Sequence, residues 1–208
     1  VAAEVGGTAT VIDVSDPDAW ARLLADVCRE HGGVDVVHLN AGVPTTRHPF
    51  SILDIDLAQY RRIMGVNVDG VVLPTLAIAH LARDSGRRVS IVATASLAGL
   101  GPYFDDPFYA ATKHAVVAFV RSAAPQLLDA GVRIHAICPG GVSTALIDDF
   151  MRQQIEARGA RMLDPVDVAE AVVELLDAEE TGLVRTIVAG RGVRDARFTD
   201  GLMPPRPS

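Results

Sequence analysis

Short β-branched and aliphatic runs alternate with longer amphipathic stretches along nearly the whole chain, and that alternation leaves few folds open. Thr8–Ile12, Val34–Leu39, Arg88–Ala93, Val132–Cys138 and Val184–Val188 are too short for helices and rich in Val, Ile and Ala, which predicts buried strands. Asp16 caps a predicted helix with Pro17 in its first position; Trp20, Leu23, Leu24 and Val27 form its apolar face and Gly32-Gly33 end it. Further helices are expected over roughly Asp56–Ser85, Tyr109–Asp129 and Pro165–Asp177, the last capped by Asp164. Strands apolar on both faces, each followed by a helix, make a parallel sheet covered on both sides. The expected fold class is therefore α/β, a doubly wound parallel sheet of the Rossmann type, with residues 1–208 forming one domain.

Composition narrows the function. Apolar residues make up 49% and charged residues 22%, with a net charge of -7. An acidic balance argues against a nucleic-acid partner, which wants a basic face. No single apolar run reaches membrane-spanning length, and no signal peptide is visible, so the expectation is a cytoplasmic protein with no membrane partner. Cys28 and Cys138 sit in apolar helix and strand patterns, and the six histidines are scattered, so neither a disulfide framework nor a metal site is expected.

The chain opens with Val1-Ala-Ala-Glu-Val-Gly-Gly7, which reads as the last turn of a helix and its glycine stop. A dinucleotide-binding sheet begins with a strand, a Gly-rich turn and a helix whose N-terminus receives the pyrophosphate. No such unit precedes Thr8, so the sheet is expected to be N-terminally incomplete.

Tyr109 and Lys113 stand four residues apart on a helix and therefore on one face. A phenol has a pKa of about 10, and a nearby ammonium stabilises the phenolate, which would bring Tyr109 toward general acid/base work. Ser96 ends a strand thirteen residues earlier, in the kind of loop where parallel sheets bind ligands. Asn40-Ala41-Gly42 follows the neighbouring strand, and Gly42 lets backbone approach a ligand. Asn67, in Val66-Asn67-Val68-Asp69-Gly70, falls mid-helix against propensity, so something local must compensate. Cys138-Pro139-Gly140-Gly141-Val142-Ser143-Thr144 supplies a third loop at the same edge.

In order and spacing these segments resemble the short-chain dehydrogenase/reductase family from about Thr8 to Val188. The matching motifs are Asp13-Val14-Ser15-Asp16, Asn40-Ala41-Gly42, Asn67, Ser96 with Tyr109-Ala-Ala-Thr-Lys113, and Pro139-Gly140-x-Val142-x-Thr144. The resemblance implies an oxidoreductase moving hydride between NAD or NADP and a small secondary alcohol or ketone. It implies Tyr109 as general acid/base, Ser96 orienting the substrate oxygen, Lys113 on the nicotinamide ribose, and Asn67 anchoring a water. Asp13 and Val14 would meet the adenine, Asn40, Ala41 and Gly42 the adenosine ribose region, and Pro139, Gly140, Val142 and Thr144 the nicotinamide and phosphates. Ser96-Leu-Ala-Gly-Leu100, Lys113-His114, Ile137-Cys-Pro-Gly140 and Leu163-Asp-Pro165 are further similar to the 15-hydroxyprostaglandin dehydrogenase branch, which has Gln where this chain has Asp106. The alternative is a non-catalytic, dinucleotide-binding or scaffolding remnant of the same fold.

Three structural expectations follow from the same resemblance. In the family's strand order, 3-2-1-4-5-6-7, Thr8–Ile12 would lie apart from Val34–Leu39 by a gap of roughly 14 Å, unless the two pair directly. A homo-dimer or homo-tetramer would form through the two longest helices, with Val71, Val72, Ile78, Val117 and Phe119 facing outward. Ala145–Gly159 would form a mobile helical lid with Leu146, Ile147, Phe150 and Met151 turned inward.

Overall fold

The computed structural model describes residues 2–46 and 49–198. Its sheet has five strands in sequential order: β1 (Val36–Leu39), β2 (Val89–Thr94), β3 (Val132–Pro139), β4 (Val184–Val188) and β5 (Gly192–Asp195). The first four are parallel; β5 returns antiparallel on β4, pairing Ile187 with Val193. This is the α/β architecture expected, with one strand added: β5 forms a hairpin with β4, closed by Arg185 on Asp195 at 2.9 Å.

Strand alternation sorts the helices onto two faces. Ile91, Ala93, Ile134, Ala136 and Cys138 point to one side, where they meet α1 (Pro17–His31), α3 (Gly70–Ser85) and α4 (Pro107–Asp129). Val92, Ile137 and Ile187 point to the other side and pack under Ala171, Val172 and Leu175 of α6 (Pro165–Leu176). The caps are those the sequence announces: Asp16 and Asp164 accept backbone N–H groups at the starts of α1 and α6, and Gly32 closes α1 at φ 78°. α4 runs unbroken through Pro125. Beyond β5 the chain returns across α4, where Arg121 lies 3.6 Å from the Phe198 ring centroid.

The long helix expected over Asp56–Ser85 is continuous but not uniform. α2 (Leu57–Met64) passes into a wide π-helical turn, Gly65–Asp69, before α3. Leu57–Ser85 as a whole is long and apolar enough to cross a membrane by length and composition, a property hidden when apolar runs are read singly. Within the fold, its Ile63, Val71, Ile78 and Ala82 are buried.

Two expectations are corrected here. Thr8–Ile12 forms no strand: it is irregular, and Val11 is fully exposed. A five-residue segment without a neighbour for its backbone groups gains nothing from extension. Direct pairing with β1 does not occur either, since β1 is bonded only to β2, and there is no first strand for a gap to separate. The second correction concerns the helix faces. Val71, Ile78 and Val117 point into the core rather than outward, and Val72 and Phe119 are half-buried. The exposed apolar side chains on these helices are Leu57, Leu76 and Leu128.

One core residue has a consequence for stability. His135, on β3, is fully buried, and neither ring nitrogen has a hydrogen-bond partner among the described residues. Burial, with Arg133 and Arg185 adding to it and Glu180 opposing, lowers its pKa from 6.5 to about 4. The unfolded chain therefore binds a proton between those values that the folded chain refuses, and stability falls as pH drops from about 6.5 toward 4. His135→Leu should remove that dependence. We expect the variant to gain on the wild type by at least ~1 kcal/mol, about 2–4 °C in Tm, between pH 7 and pH 4.5. Parallel Tm-versus-pH curves for the two proteins in calorimetry would show that His135 has no such role.

Candidate active site

The site lies at the carboxyl ends of β1, β2 and β3, the edge at which parallel sheets bind ligands. Each strand delivers one loop, and α4 crosses beneath them with Tyr109 and Lys113 in its first two turns.

Ser96 follows β2 and caps a short turn, Leu97–Gly99, its hydroxyl accepting the Ala98 N–H at 3.2 Å. The turn lies directly on α4: a Cβ on Gly99 would stand 2.6 Å from the carbonyl oxygen of Lys113. Glycine is thus required for the Ser96 turn to pack this closely on the helix that carries Tyr109. The Tyr109 ring meets Tyr103 edge-on at 6.3 Å between centroids, and Lys113 Nζ lies 5.5 Å from the Tyr109 centroid.

Lys113 is the only lysine in the chain and is 2% exposed. Its ammonium donates to the Thr94 carbonyl at 2.8 Å. Thr94 is a hub that the sequence did not reveal. Its hydroxyl donates to Asn40 Oδ1 at 2.9 Å and lies 2.9 Å from His38 Nε2. With the hydroxyl proton committed to Asn40, His38 must be the donor in that contact. Asn40 is thereby oriented with its amide NH2 still available.

Asn67 is fully buried in the wide turn between α2 and α3. Its Oδ1 accepts the Val43 N–H at 2.8 Å, and its amide nitrogen donates to the Val43 carbonyl at 2.9 Å and to Thr112 Oγ1 at 3.1 Å. Both amide hydrogens are therefore committed to protein groups. The side chain fastens the loop after β1 to α4, which is the local compensation its position demanded.

Burial dominates the electrostatics. It pushes the Tyr109 phenol up to about 12, with the Ser96 hydrogen bond pulling back and the Asp106 and Cys138 charges pushing further. It also brings Lys113 down to about 8. The net shift of Tyr109 is therefore upward and that of Lys113 downward, because desolvation penalises phenolate and ammonium alike. The resting group is the phenol, a proton donor.

The residues expected along a dinucleotide are placed unevenly. Asn40 and Ala41 are exposed beside Gly42, where a Cβ would stand 3.4 Å from Lys113 Nζ and 3.7 Å from Asn67 Oδ1. Asp13 is exposed, and its carboxylate accepts the hydroxyl and N–H of Ser15, which holds it below the usual carboxylate range. The Val14 side chain packs on Gly70, and its carbonyl takes the Trp20 indole N–H at 2.9 Å. Gly140 donates its N–H to Ile187, and Val142 pairs with Leu163 in a parallel bridge. Pro139 ends β3, while Thr144 lies exposed before α5 (Asp149–Ala157).

Sequence reasoning expected the α5 segment as a lid. Leu146, Ile147, Phe150 and Met151 are half-buried, and Ile155 sits where a Gly141 Cβ would be, 2.7 Å away. Arg158, just past the helix, reaches Asp105 at 3.3 Å. The segment thus touches both the Gly-Gly loop after β3 and the loop leading into α4.

Known proteins resemble the chain in sequence and fold. A family model described as short chain dehydrogenase matches residues 2–155. A meso-2,3-butanediol dehydrogenase from Serratia marcescens is 35% identical over 179 residues, 83% of this chain and 68% of that protein. The human NAD(+)-dependent 15-hydroxyprostaglandin dehydrogenase is 28% identical over 201 residues, 87% of this chain and 71% of the enzyme. Among solved structures, a 3-ketoacyl-(acyl-carrier-protein) reductase from Brucella melitensis complexed with NADH superposes with a TM-score of 0.82 at 28% identity, covering 91% of this chain and 81% of that one. The chain belongs to the short-chain dehydrogenase family, as an enzyme that oxidises alcohols or reduces ketones with NAD or NADP.

Proposed function

We propose that Tyr109 is the general acid/base of this oxidoreductase and that Ser96, Lys113 and Asn67 set its surroundings. One observation carries the reading: a half-buried phenol faces the Ser96 turn from the same helix face as the chain's single lysine, whose ammonium is buried 5.5 Å from the phenol ring. A structural helix has no need to bury an amine at that cost.

The residues present fit a nicotinamide dinucleotide. The Lys113 ammonium carries three hydrogens and gives one to Thr94, so it can also donate to ribose hydroxyls. Gly42 keeps the approach to that ammonium open, and the free Asn40 amide, Asp13, Val14 and Ala41 continue the surface toward the adenosine end. Pro139, Gly140, Val142 and Thr144 border the other end. When bound, the nicotinamide exchanges hydride with the carbinol or carbonyl carbon.

The protein's own residues manage the oxygen and its proton. Ser96 donates a hydrogen bond to the substrate oxygen and holds it against Tyr109. In reduction, Tyr109 gives its phenolic proton to that oxygen as negative charge develops on it; in oxidation, the phenolate takes the proton from the alcohol. Asn67 keeps the Gly42 loop and α4 in register, so it is a positioning residue. The substrate class is a secondary alcohol or its ketone, and residues 1–208 act as one NAD(P)-binding domain.

The test is a matrix of both oxidised cofactors with secondary alcohols and both reduced cofactors with ketones, followed by nicotinamide absorbance. We expect turnover in matched alcohol and ketone pairs with one cofactor preferred. Folded protein that binds cofactor yet turns over no alicyclic, aliphatic or steroid-sized member of the matrix would favour the scaffolding alternative.

A further inference from the structure

Asp106 lies three residues before Tyr109 and is 1% exposed. Its carboxylate is turned into the protein. Oδ2 accepts the backbone N–H of Thr45 at 2.9 Å, and Oδ1 accepts the Thr45 hydroxyl at 2.6 Å and the Tyr109 backbone N–H at 2.9 Å. All three partners are donors, which suits an ionised carboxylate. Thr45, also 1% exposed, belongs to the loop that Asn67 holds through Val43. Two buried side chains thus fasten one loop to the first turns of α4.

We propose that Asp106 is a positioning residue that keeps Tyr109 a proton donor: its carboxylate fixes the start of α4 against the Val43–Thr45 loop and sets a buried negative charge on the helix turn that carries the phenol, so that a ketone arrives with its proton already in place. The proposal rests on the reading of Tyr109 as general acid/base. In reduction, the carbonyl carbon gains hydride from the reduced nicotinamide, the carbonyl π pair moves to oxygen, and oxygen takes the Tyr109 proton. Solvent then restores the phenol. The balance is ketone plus NAD(P)H plus one proton to secondary alcohol plus NAD(P)+. Oxidation needs the opposite starting form, and a carboxylate in this place disfavours it.

The other groups around Tyr109 identify Asp106 as the acidic one joined to its helix turn. Lys113 faces the ring from α4 itself, Cys138 from β3, Ser96 from the turn after β2, and Tyr103 from the loop before α4. Asp105, one residue from Asp106, is engaged by Arg158. The Asp106 charge acts on Tyr109 in the same direction as burial, against ionisation.

Asp106→Asn keeps the shape and removes the charge, and Asp106→Ser keeps a cap for α4 without it. Ultraviolet titration of the three tyrosines, with Tyr109→Phe identifying the Tyr109 component, reads the phenol directly without cofactor. Both Asp106 variants should move that component down by at least about half a pH unit. At neutral pH the ratio of alcohol oxidation to ketone reduction should rise about threefold or more in the same variants. Thr45→Val, which loosens the clamp and leaves the charge, should lower Tm without moving the titration. A Tyr109 component and a rate ratio unchanged in whichever folded Asp106 variant is obtained would overturn the proposal, as would an equal shift in Thr45→Val. If instead Tyr109→Phe retains activity near that of the wild type, the general acid/base reading fails first, and the two failures are distinguishable.

Discussion

Tyr109→Phe should lower turnover by about a hundred- to ten-thousand-fold, the usual contribution of a positioned proton donor or acceptor. Cofactor affinity should change by less than about twofold, because the substitution keeps the ring and its contact with Tyr103 and removes one oxygen. Since the group lost is held as a phenol, the pH dependence of the two directions should also differ in the wild type. Ketone reduction should be flat through neutrality, whereas alcohol oxidation should climb with pH as phenolate becomes available below a pKa pushed toward about 12. Both trends should vanish in the residual activity of the variant. Steady-state rates in each direction from pH 6 to pH 10, with cofactor binding followed by nicotinamide fluorescence, provide the check. Activity within about threefold of the wild type would remove Tyr109 from the mechanism.

Asn67→Leu should be the most damaging substitution outside the reacting groups. Leucine fills a similar volume but abandons the N–H and carbonyl of Val43 and the hydroxyl of Thr112. Buried polar groups left without partners cost about 1–3 kcal/mol each. Even with Thr112 still bonded to the Tyr109 carbonyl at 2.8 Å, a loss of roughly 3 kcal/mol is expected. The released loop carries Gly42 and Thr45, so cofactor affinity should fall more than about tenfold at temperatures where the protein remains folded. Chemical denaturation and fluorescence titration measure the two effects separately. A variant destabilised but binding cofactor normally would show that Asn67 supports the fold alone.

The sequence revealed what rests on local rules. Asp16 before Pro17 and Asp164 before Pro165 are caps because a short side-chain acceptor and a fixed φ act within a single turn. Val184–Val188 is a strand because apolar, β-branched residues have no better local option. Tyr109 and Lys113 share a face because helical periodicity requires it. What stayed hidden depends on distant partners. Nothing local to Thr94 shows that its carbonyl receives Lys113 and its hydroxyl Asn40, since those contacts span 19 and 54 residues. The role of Asp106 as a clamp was hidden because its partner Thr45 lies 61 residues away. Val71, Ile78 and Val117 were assigned to an outer surface because an apolar helix shows no periodicity strong enough to tell which face meets the sheet. Thr8–Ile12 failed in the opposite sense: its composition suits a strand, but a strand also needs a neighbour.

The solitary lysine has a practical meaning. Eighteen arginines carry every other basic side-chain charge except that of histidine, so residues 1–208 contain one ε-amine, and it is the one proposed here for the active site. Amine-directed reagents that leave guanidinium untouched therefore have a single side-chain target. Because that amine is 2% exposed, its labelling rate measures how often the site opens rather than how reactive the surface is. A reductive methylation that would scatter over many positions in most enzymes becomes here a clock on one buried amine, slowed by whatever covers it. The same tally makes the chain a natural host for isotopic lysine: a single resonance would follow the ammonium through binding and turnover with nothing else to assign.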